Sequence, residues 1–189
     1  LARISQRINE QPLDVDGTLL AIAEAARELT GGDGARVFLL DGERLVPGPG
    51  ALGKISADYA TSDSFVELSS GITIARAVRE RRTVAVDDLV EIVPDQEVRD
   101  RLVARGMRSN MVAPLSGTDS IVGSLSVVRA QVRPFNATEL ATLEAFAGRK
   151  LDVNRKVYES EAATNQRNQA IGALMYAYGL IEDDPQMVT

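Results

Sequence analysis

The sequence predicts an α+β fold: an antiparallel β-sheet with helices covering both of its sides. The first observation is an apolar hairpin over residues 109–129, SNMVAPLSGTDSIVGSLSVVR. The turn residues SGTDS separate its two apolar runs, and Gly, Ser, Thr and Asp each favour turns. The second is a shorter hairpin over residues 37–46, with Asp41-Gly42 as its turn. The third is a series of segments with apolar residues at helical spacing around both hairpins.

Alternation in the second strand of the longer hairpin predicts two different faces for the sheet. Successive side chains of a strand point to opposite sides. One side is apolar and we expect it to lie beneath helices; the other is smaller and partly polar, which suits a cavity or a closely packed loop. The first set is Ile121, Gly123, Leu125 and Val127, and the second is Val122, Ser124, Ser126 and Val128.

The elements before the shorter hairpin are helical. Residues 1–12 predict a short amphipathic N-terminal helix, which Pro12 ends. A second helix is predicted from Gly17 to Leu29, because apolar residues recur at helical spacing and glycines follow. After the shorter hairpin, residues 47–53 are so rich in Pro and Gly that we expect no regular structure there.

The middle of the chain predicts short elements. A weak strand pattern covers residues 65–68, and a helix is expected from Gly71 into the charged run at residues 79–82. Residues 83–86 predict a short strand. Pro94-Asp95 begins another helix that Gly106 ends.

A long helix is predicted after the longer hairpin. Asn136 with Glu139 three residues later is a capping-box pattern, which marks a helix start. The helical pattern continues to about Tyr178, but its apolar residues thin out beyond Leu151, as in a helix that leaves its domain and pairs with another. The positions expected on this dimerisation or output surface are Val153, Val157, Ile171, Leu174, Met175 and Tyr178.

Composition limits the possible chemistry. The chain has 189 residues, no Cys, no His and a formal net charge of −6. Without these two residue types there is no thiolate nucleophile, imidazole base or disulfide, and no His ligand for a metal or haem. A negative net charge repels a phosphate backbone, so RNA contact requires a local basic patch. No apolar run reaches the length of about 20 residues that a membrane span needs, and the N-terminus does not resemble a signal peptide, so we expect a cytoplasmic protein.

Two charged motifs allow a functional and a structural interpretation. Asp87-Asp88 can be taken as an acid pair or a metal site, but adjacent carboxylates at a strand end point to opposite sides, which favours a cap or a turn. Arg79, Arg81 and Arg82 can attract an anion, but cations at a helix C-terminus are also favoured by the helix dipole.

Two stretches together resemble the GAF domain, a small-ligand sensory module. Residues 69–89 are similar to its helix–strand signature, and residues 109–129 to its central hairpin. The likeness extends over about residues 13–157, and we place the domain at residues 13–153. The positions that carry the first stretch are Gly71, Ile72, Ala75, Val78, Val84, Val86 and Asp88.

The resemblance implies a GAF/PAS-like fold with a six-stranded antiparallel sheet. The first and last helices would cover one face, and a ligand pocket would lie on the other. Bilin-binding relatives usually need Cys and haem-binding ones His, so we expect neither cofactor, and the cyclic-nucleotide motif of the family has no match. The pocket then suits an unidentified small organic effector, or is filled by side chains in a domain that only dimerises. Its expected lining is Gly71, Ile72, Ala75, Ser109, Met111, Ser124 and Ser126.

Residues 165–189 resemble the opening helix of ANTAR, an RNA-binding antiterminator domain. We therefore assign residues 154–189 to a signalling or dimerisation helix with an incomplete ANTAR-like segment. The implied protein is a bacterial, homodimeric, non-enzymatic regulator whose partners are a small molecule and RNA, not a membrane. The alternative is a GAF sensor of a histidine kinase, nucleotide cyclase or phosphatase that signals through a coiled coil. The matching positions are Ala170, Ile171, Gly172, Leu174, Met175, Gly179 and Leu180.

Overall fold

The computed structural model describes residues 15–61, 64–117 and 120–148. These form a six-stranded antiparallel sheet with helices on both sides, which confirms the predicted fold class. The strands are β1 Gly34–Asp41, β2 Arg44–Leu52, β3 Val66–Glu67, β4 Val84–Val86, β5 Ser109–Ser116 and β6 Ile121–Arg129, in the spatial order β3-β2-β1-β6-β5-β4. The helices are α1 Val15–Thr30, α2 Ala57–Thr61, α3 Thr73–Glu80, α4 Leu89–Ile92, α5 Gln96–Ala104 and α6 Ala137–Ala147.

Two predicted helical segments lie outside the described residues. They are the N-terminal helix at residues 1–12 and the continuation of the long helix beyond residue 148, which includes the surface from Val153 to Tyr178. The start of the long helix is described, and it is α6. Its capping box is present as predicted: the Asn136 side chain accepts a hydrogen bond from the Glu139 amide, and the Glu139 carboxylate accepts one from the Asn136 amide.

Strand register separates the two faces of the sheet. Ser126 lies opposite Arg36 on β1 and Val112 on β5, while Ser124 lies opposite Phe38 and Pro114. Residues directly opposite each other share a face. We call the side that carries these residues the front face, and the other side the back face.

The back face holds the main apolar core. Leu125 and Val127 lie there against α1 and α6, as the alternation predicted. Burial of these apolar side chains is the principal favourable contribution to packing the two helices on the sheet. The buried members of this cluster include Leu19, Ile22, Ala26, Val37, Leu39, Met111, Ala113, Leu115, Leu143 and Phe146.

The predicted faces of Ile121 and Val122 are wrong. Ile121 packs with the front-face cluster of Phe38 and Leu45, whereas Val122 packs against the back-face core. The cause is a register irregularity between Leu115 and Ser116, which pairs Ser116 with Ile121. Such an irregularity inserts one residue and reverses the alternation on one side of it.

The expectation of irregular structure at residues 47–53 is also wrong, because β2 runs through Pro47 and Pro49 as far as Leu52. On its outer side β3 pairs only with Arg44 and Leu45. Beyond these two residues β2 is the edge strand of the sheet that residues 15–148 form in their described parts, and there a proline need not donate to a neighbouring strand.

Asp88 acts as a cap, which is the structural interpretation favoured above. Its side chain accepts a hydrogen bond from the Val90 amide at the start of α4, a one-turn helix that the sequence pattern did not predict. It also accepts from both Nε and Nη2 of Arg108. The Arg108 hydrogen bond lowers the pKa of Asp88, against the opposing effect of burial.

Arg129 joins three parts of the back face at the end of β6. It is 1% exposed and donates to the carbonyl oxygens of Thr30, Arg133 and Pro134 at 3.0–3.1 Å. It also donates to Glu139 Oε1 at 2.6 Å, and its guanidinium lies 3.8 Å from the centre of the Phe135 ring. This one side chain therefore ties β6 to the end of α1 and to the first turn of α6.

Candidate functional site

Helix α3 covers the front face above β5 and β6. Its residues Ala75 and Val78 pack against Phe38, and Ala77 packs against Val112. Small side chains on this side of α3 let the helix lie close to the sheet. The serines of β6 are consequently enclosed, and Ser124 and Ser126 are 0% and 1% exposed.

A chain of buried polar side chains links the start of α3 to β6. The Thr73 hydroxyl donates to Asn110 Oδ1 at 2.8 Å. Asn110 Nδ2 donates to Ser126 Oγ at 3.0 Å and to the Val127 carbonyl at 3.2 Å. All three side chains are buried, and hydrogen bonds in such an environment are strengthened by the low local dielectric.

Tyr59 and Arg36 extend this cluster toward α2. Arg36 is 4% exposed and donates from Nη1 to the Tyr59 carbonyl at 2.6 Å and from Nε to the Gly48 carbonyl. Burial raises the pKa of the Tyr59 hydroxyl to about 12, although Ser126 and the charge of Arg36 act in the opposite direction. Tyr59 therefore stays protonated at neutral pH. We call Arg36, Tyr59, Thr73, Asn110, Ser124 and Ser126 the front-face polar cluster.

Five of the predicted lining residues lie at or near this cluster. Ala75, Ser124 and Ser126 are buried between α3 and the sheet. Gly71 and Ile72 precede α3 and are exposed, Ile72 by 52%. They lie at the rim of the covered region and not within it.

The placement of Ser109 and Met111 on this face is wrong. Met111 lies opposite Val127 and is buried in the back-face core. Ser109 lies opposite Arg129 and its hydroxyl donates to the Asp87 carbonyl at 2.6 Å. Odd-numbered residues of β5 share the face of Leu125 and Val127, so neither residue can line a front-face site.

Sequence reasoning missed Asn110, Thr73, Tyr59 and Arg36. Asn110 alternates with Met111 and shares the face of Val112, a signal that becomes usable only when the register of the hairpin is known. Arg36 carried a signal that was not used, a cation next to the apolar residues of β1. Tyr59 and Thr73 carried no comparable signal, since tertiary packing alone brings α2 and α3 over β6.

The cluster contains hydroxyl, amide and guanidinium groups, which can bind a ligand through hydrogen bonds. Across the described ranges no group of three or more acidic side chains is placed to hold a metal ion. Among those same residues, no helix has the length and apolar character needed to cross a membrane.

An antiparallel sheet with terminal helices on one face and an enclosed polar cluster on the other is the architecture of a small-ligand sensory domain. The family model described as the GAF domain matches residues 12–149. The chain therefore belongs to the GAF domain family, as its helix–strand signature and central hairpin predicted.

Solved GAF domains share this fold. The GAF-B domain of DevS from Mycobacterium smegmatis is 25% identical, with a TM-score of 0.57 over 88% of this chain and 97% of that one. The blue-light-absorbing form of the PixJ GAF domain from Thermosynechococcus elongatus is 16% identical, with a TM-score of 0.59 over 88% of this chain and 90% of that one.

A curated relative is a glutaminase from Corynebacterium efficiens. It is 28% identical in an alignment of 152 residues that covers 73% of this chain and 35% of the glutaminase. The chain thus spans about a third of the length of that relative.

Proposed function

We propose that this GAF domain is the sensory part of a cytoplasmic bacterial transcription regulator that binds a small organic molecule at the front-face polar cluster. The observation that supports the proposal is the enclosed cluster itself. It gathers hydrogen-bonding side chains from α2, α3, β1, β5 and β6 around an otherwise apolar region. Ligand sites in proteins commonly combine a mostly apolar lining with a few placed polar groups.

The proposed output is RNA-binding antitermination of the ANTAR type. Its support is the resemblance of residues 165–189 to the first ANTAR helix. Helix α6, which begins in the GAF domain at Ala137, leads along the chain toward that segment. A ligand controls such an output only if it favours one arrangement of the connecting segment over another.

The proposed regulator is a homodimer and not an enzyme. The apolar positions expected to pair two copies begin at Val153 and end at Tyr178, outside the described residues. We also propose that it uses neither bilin nor haem, since the chain has no Cys and no His. A glutaminase assay on the complete gene product should give no turnover above buffer, and measurable glutamine hydrolysis would contradict the proposal.

A gel-shift assay with the complete gene product and tandem RNA hairpins tests the output. Leu174→Asp should weaken RNA binding at least tenfold, because the charge falls on the predicted apolar surface. Gln169→Asp is the matched control, since it adds the same charge on the opposite side of the predicted helix, and should bind as the parent does. Absence of RNA binding in every ligand state would refute this output and favour the kinase, cyclase or phosphatase alternative. Native mass spectrometry of freshly purified protein tests the sensory part by detecting a retained small molecule.

A further inference from the structure

Two hydroxyl groups of the front-face polar cluster are buried with an O–H hydrogen that has no acceptor. Neither the Ser124 nor the Tyr59 hydroxyl finds a hydrogen-bond acceptor among residues 15–61, 64–117 and 120–148. Their residues are 0% and 5% exposed, so bulk water does not satisfy these groups. Folded proteins seldom leave a buried hydroxyl unpaired, because its lost hydration is then uncompensated.

The direction of the neighbouring hydrogen bonds shows what these hydroxyls can offer. Because Thr73 donates to Asn110 Oδ1, the Asn110 amide group is oriented with Nδ2 toward Ser126 and the Val127 carbonyl. Both Nδ2 hydrogens are thereby used, and Ser126 Oγ serves as an acceptor. Its own hydrogen is left to act on Tyr59, in agreement with the lowering effect of Ser126 on the Tyr59 pKa.

The groups left over can therefore act as hydrogen-bond donors. Tyr59 keeps its proton at neutral pH because burial holds its pKa near 12. Ser124 also has an O–H hydrogen without an acceptor in the described part of the chain. Residues two apart on a strand lie roughly 7 Å apart, so Ser124 and the Tyr59–Ser126 pair are within the span of one small molecule.

We infer that the ligand of this site is a small organic molecule carrying an oxygen acceptor, such as a carbonyl, which accepts a hydrogen bond from Tyr59 or Ser124. Its carbon skeleton would lie against the apolar neighbours Phe38 and Ala75. This inference rests on the proposed sensory function and specifies the chemistry of its ligand.

The test compares two probes of the same shape, cyclopentanone and methylenecyclopentane, in which a C=CH₂ group replaces the C=O. Each is titrated into the ¹⁵N-labelled chain, and binding is followed from the amide signals of Thr73, Asn110 and Ser126. We expect cyclopentanone to bind about 3–10 times more tightly, the effect of one or two neutral hydrogen bonds. A double variant, Tyr59→Phe with Ser124→Ala, should bind the two probes equally. Ser120→Ala removes an exposed hydroxyl just before β6 and should keep the preference of the parent.

Thermal unfolding separates this role from a structural one. Removing an unpaired buried hydroxyl is neutral or stabilising, so the ligand-free Ser124→Ala single variant should unfold at or above the temperature of the parent. A lower unfolding temperature would show that the Ser124 hydroxyl already bonds to trapped water or protein, and would overturn the inference. Equal affinity for the two probes, or no response to either, would also overturn it. A retained natural molecule without an oxygen acceptor would refute the inference while leaving the sensory function intact.

Discussion

Replacing Glu139 with Gln tests whether the buried charge of Arg129 stabilises the domain through its ion pair. Arg129 is 1% exposed and its Nη2 lies 2.6 Å from Glu139 Oε1. Glutamine preserves the length of the side chain and can replace Glu in a capping box. The substitution therefore removes the negative charge while leaving the start of α6 intact.

The expected loss in the free energy of unfolding is about 2–3 kcal/mol. Removing one partner of a buried ion pair costs about 3–5 kcal/mol when the other charge is left uncompensated. Two features place the expected loss at or just below the lower end of that range. The Glu139 side chain is 20% exposed, and Arg129 would keep its three backbone carbonyl acceptors and the Phe135 ring.

Urea unfolding followed by circular dichroism measures this loss. At a typical urea dependence, 2–3 kcal/mol lowers the midpoint by roughly 1 M, with the slope unchanged. Glu144→Gln is the matched control because it removes the same charge from an exposed site on α6, and it should change stability by less than about 0.5 kcal/mol. A Glu139→Gln midpoint equal to that of this control would refute the reasoning.

The same pair predicts a dependence on pH. The hydrogen bond from Arg129 lowers the pKa of Glu139, burial opposes it, and the Asn136 amide and nearby positive charges add to the lowering. A carboxyl whose pKa is lowered on folding stabilises the protein above its unfolded pKa, here 4.5. The difference between parent and Glu139→Gln should therefore be constant near neutral pH and shrink as pH falls below that value. A difference that persisted unchanged to acid pH would contradict the ionic explanation.

Two further substitutions test other contacts. Gly123→Ala should lower the free energy of unfolding by about 1–3 kcal/mol in urea, because a Cβ there would lie 2.1 Å from the Phe38 carbonyl oxygen. Gly71→Ala, where a Cβ meets no atom within 4 Å, is its control, and an equal effect of the two would refute the packing argument. Asp88→Asn should lower the thermal midpoint by roughly 2–4 °C at neutral pH. That difference should diminish in acid, because Arg108 lowers the pKa of Asp88, and a pH-independent difference would speak against the pair.

Local sequence signals were sufficient for much of the fold. The Asn136–Glu139 capping box and the two hairpins depend on contacts between residues close in sequence, and the structure contains all three. The two faces of β6 also followed from alternation at Leu125 and Val127. These predictions succeeded because the pattern and the physical cause lie in the same short segment.

The predictions that failed concern residues whose positions depend on contacts with residues distant in sequence. Pro49 lies in a strand because no described strand pairs with the outer side of β2 there, which the composition of residues 47–53 does not reveal. Met111 was assigned to the site without a pairing register, and one residue of difference reverses a side chain between faces. Tyr59 was missed because α2 reaches β6 only through tertiary packing.

The attachment of α6 determines how this helix can move. Its first turn is fixed by the capping box and by Arg129, so sliding along its axis would break several bonds at once. Tilting about Asn136 spares those bonds, but it shifts Leu143 and Phe146, which are buried in the back-face core. With a rise of about 1.5 Å per residue, a tilt of about 5° displaces the far end of this 11-residue helix sideways by about 1.3 Å. Any reorientation of α6 is therefore coupled to its packing against α1 and the sheet.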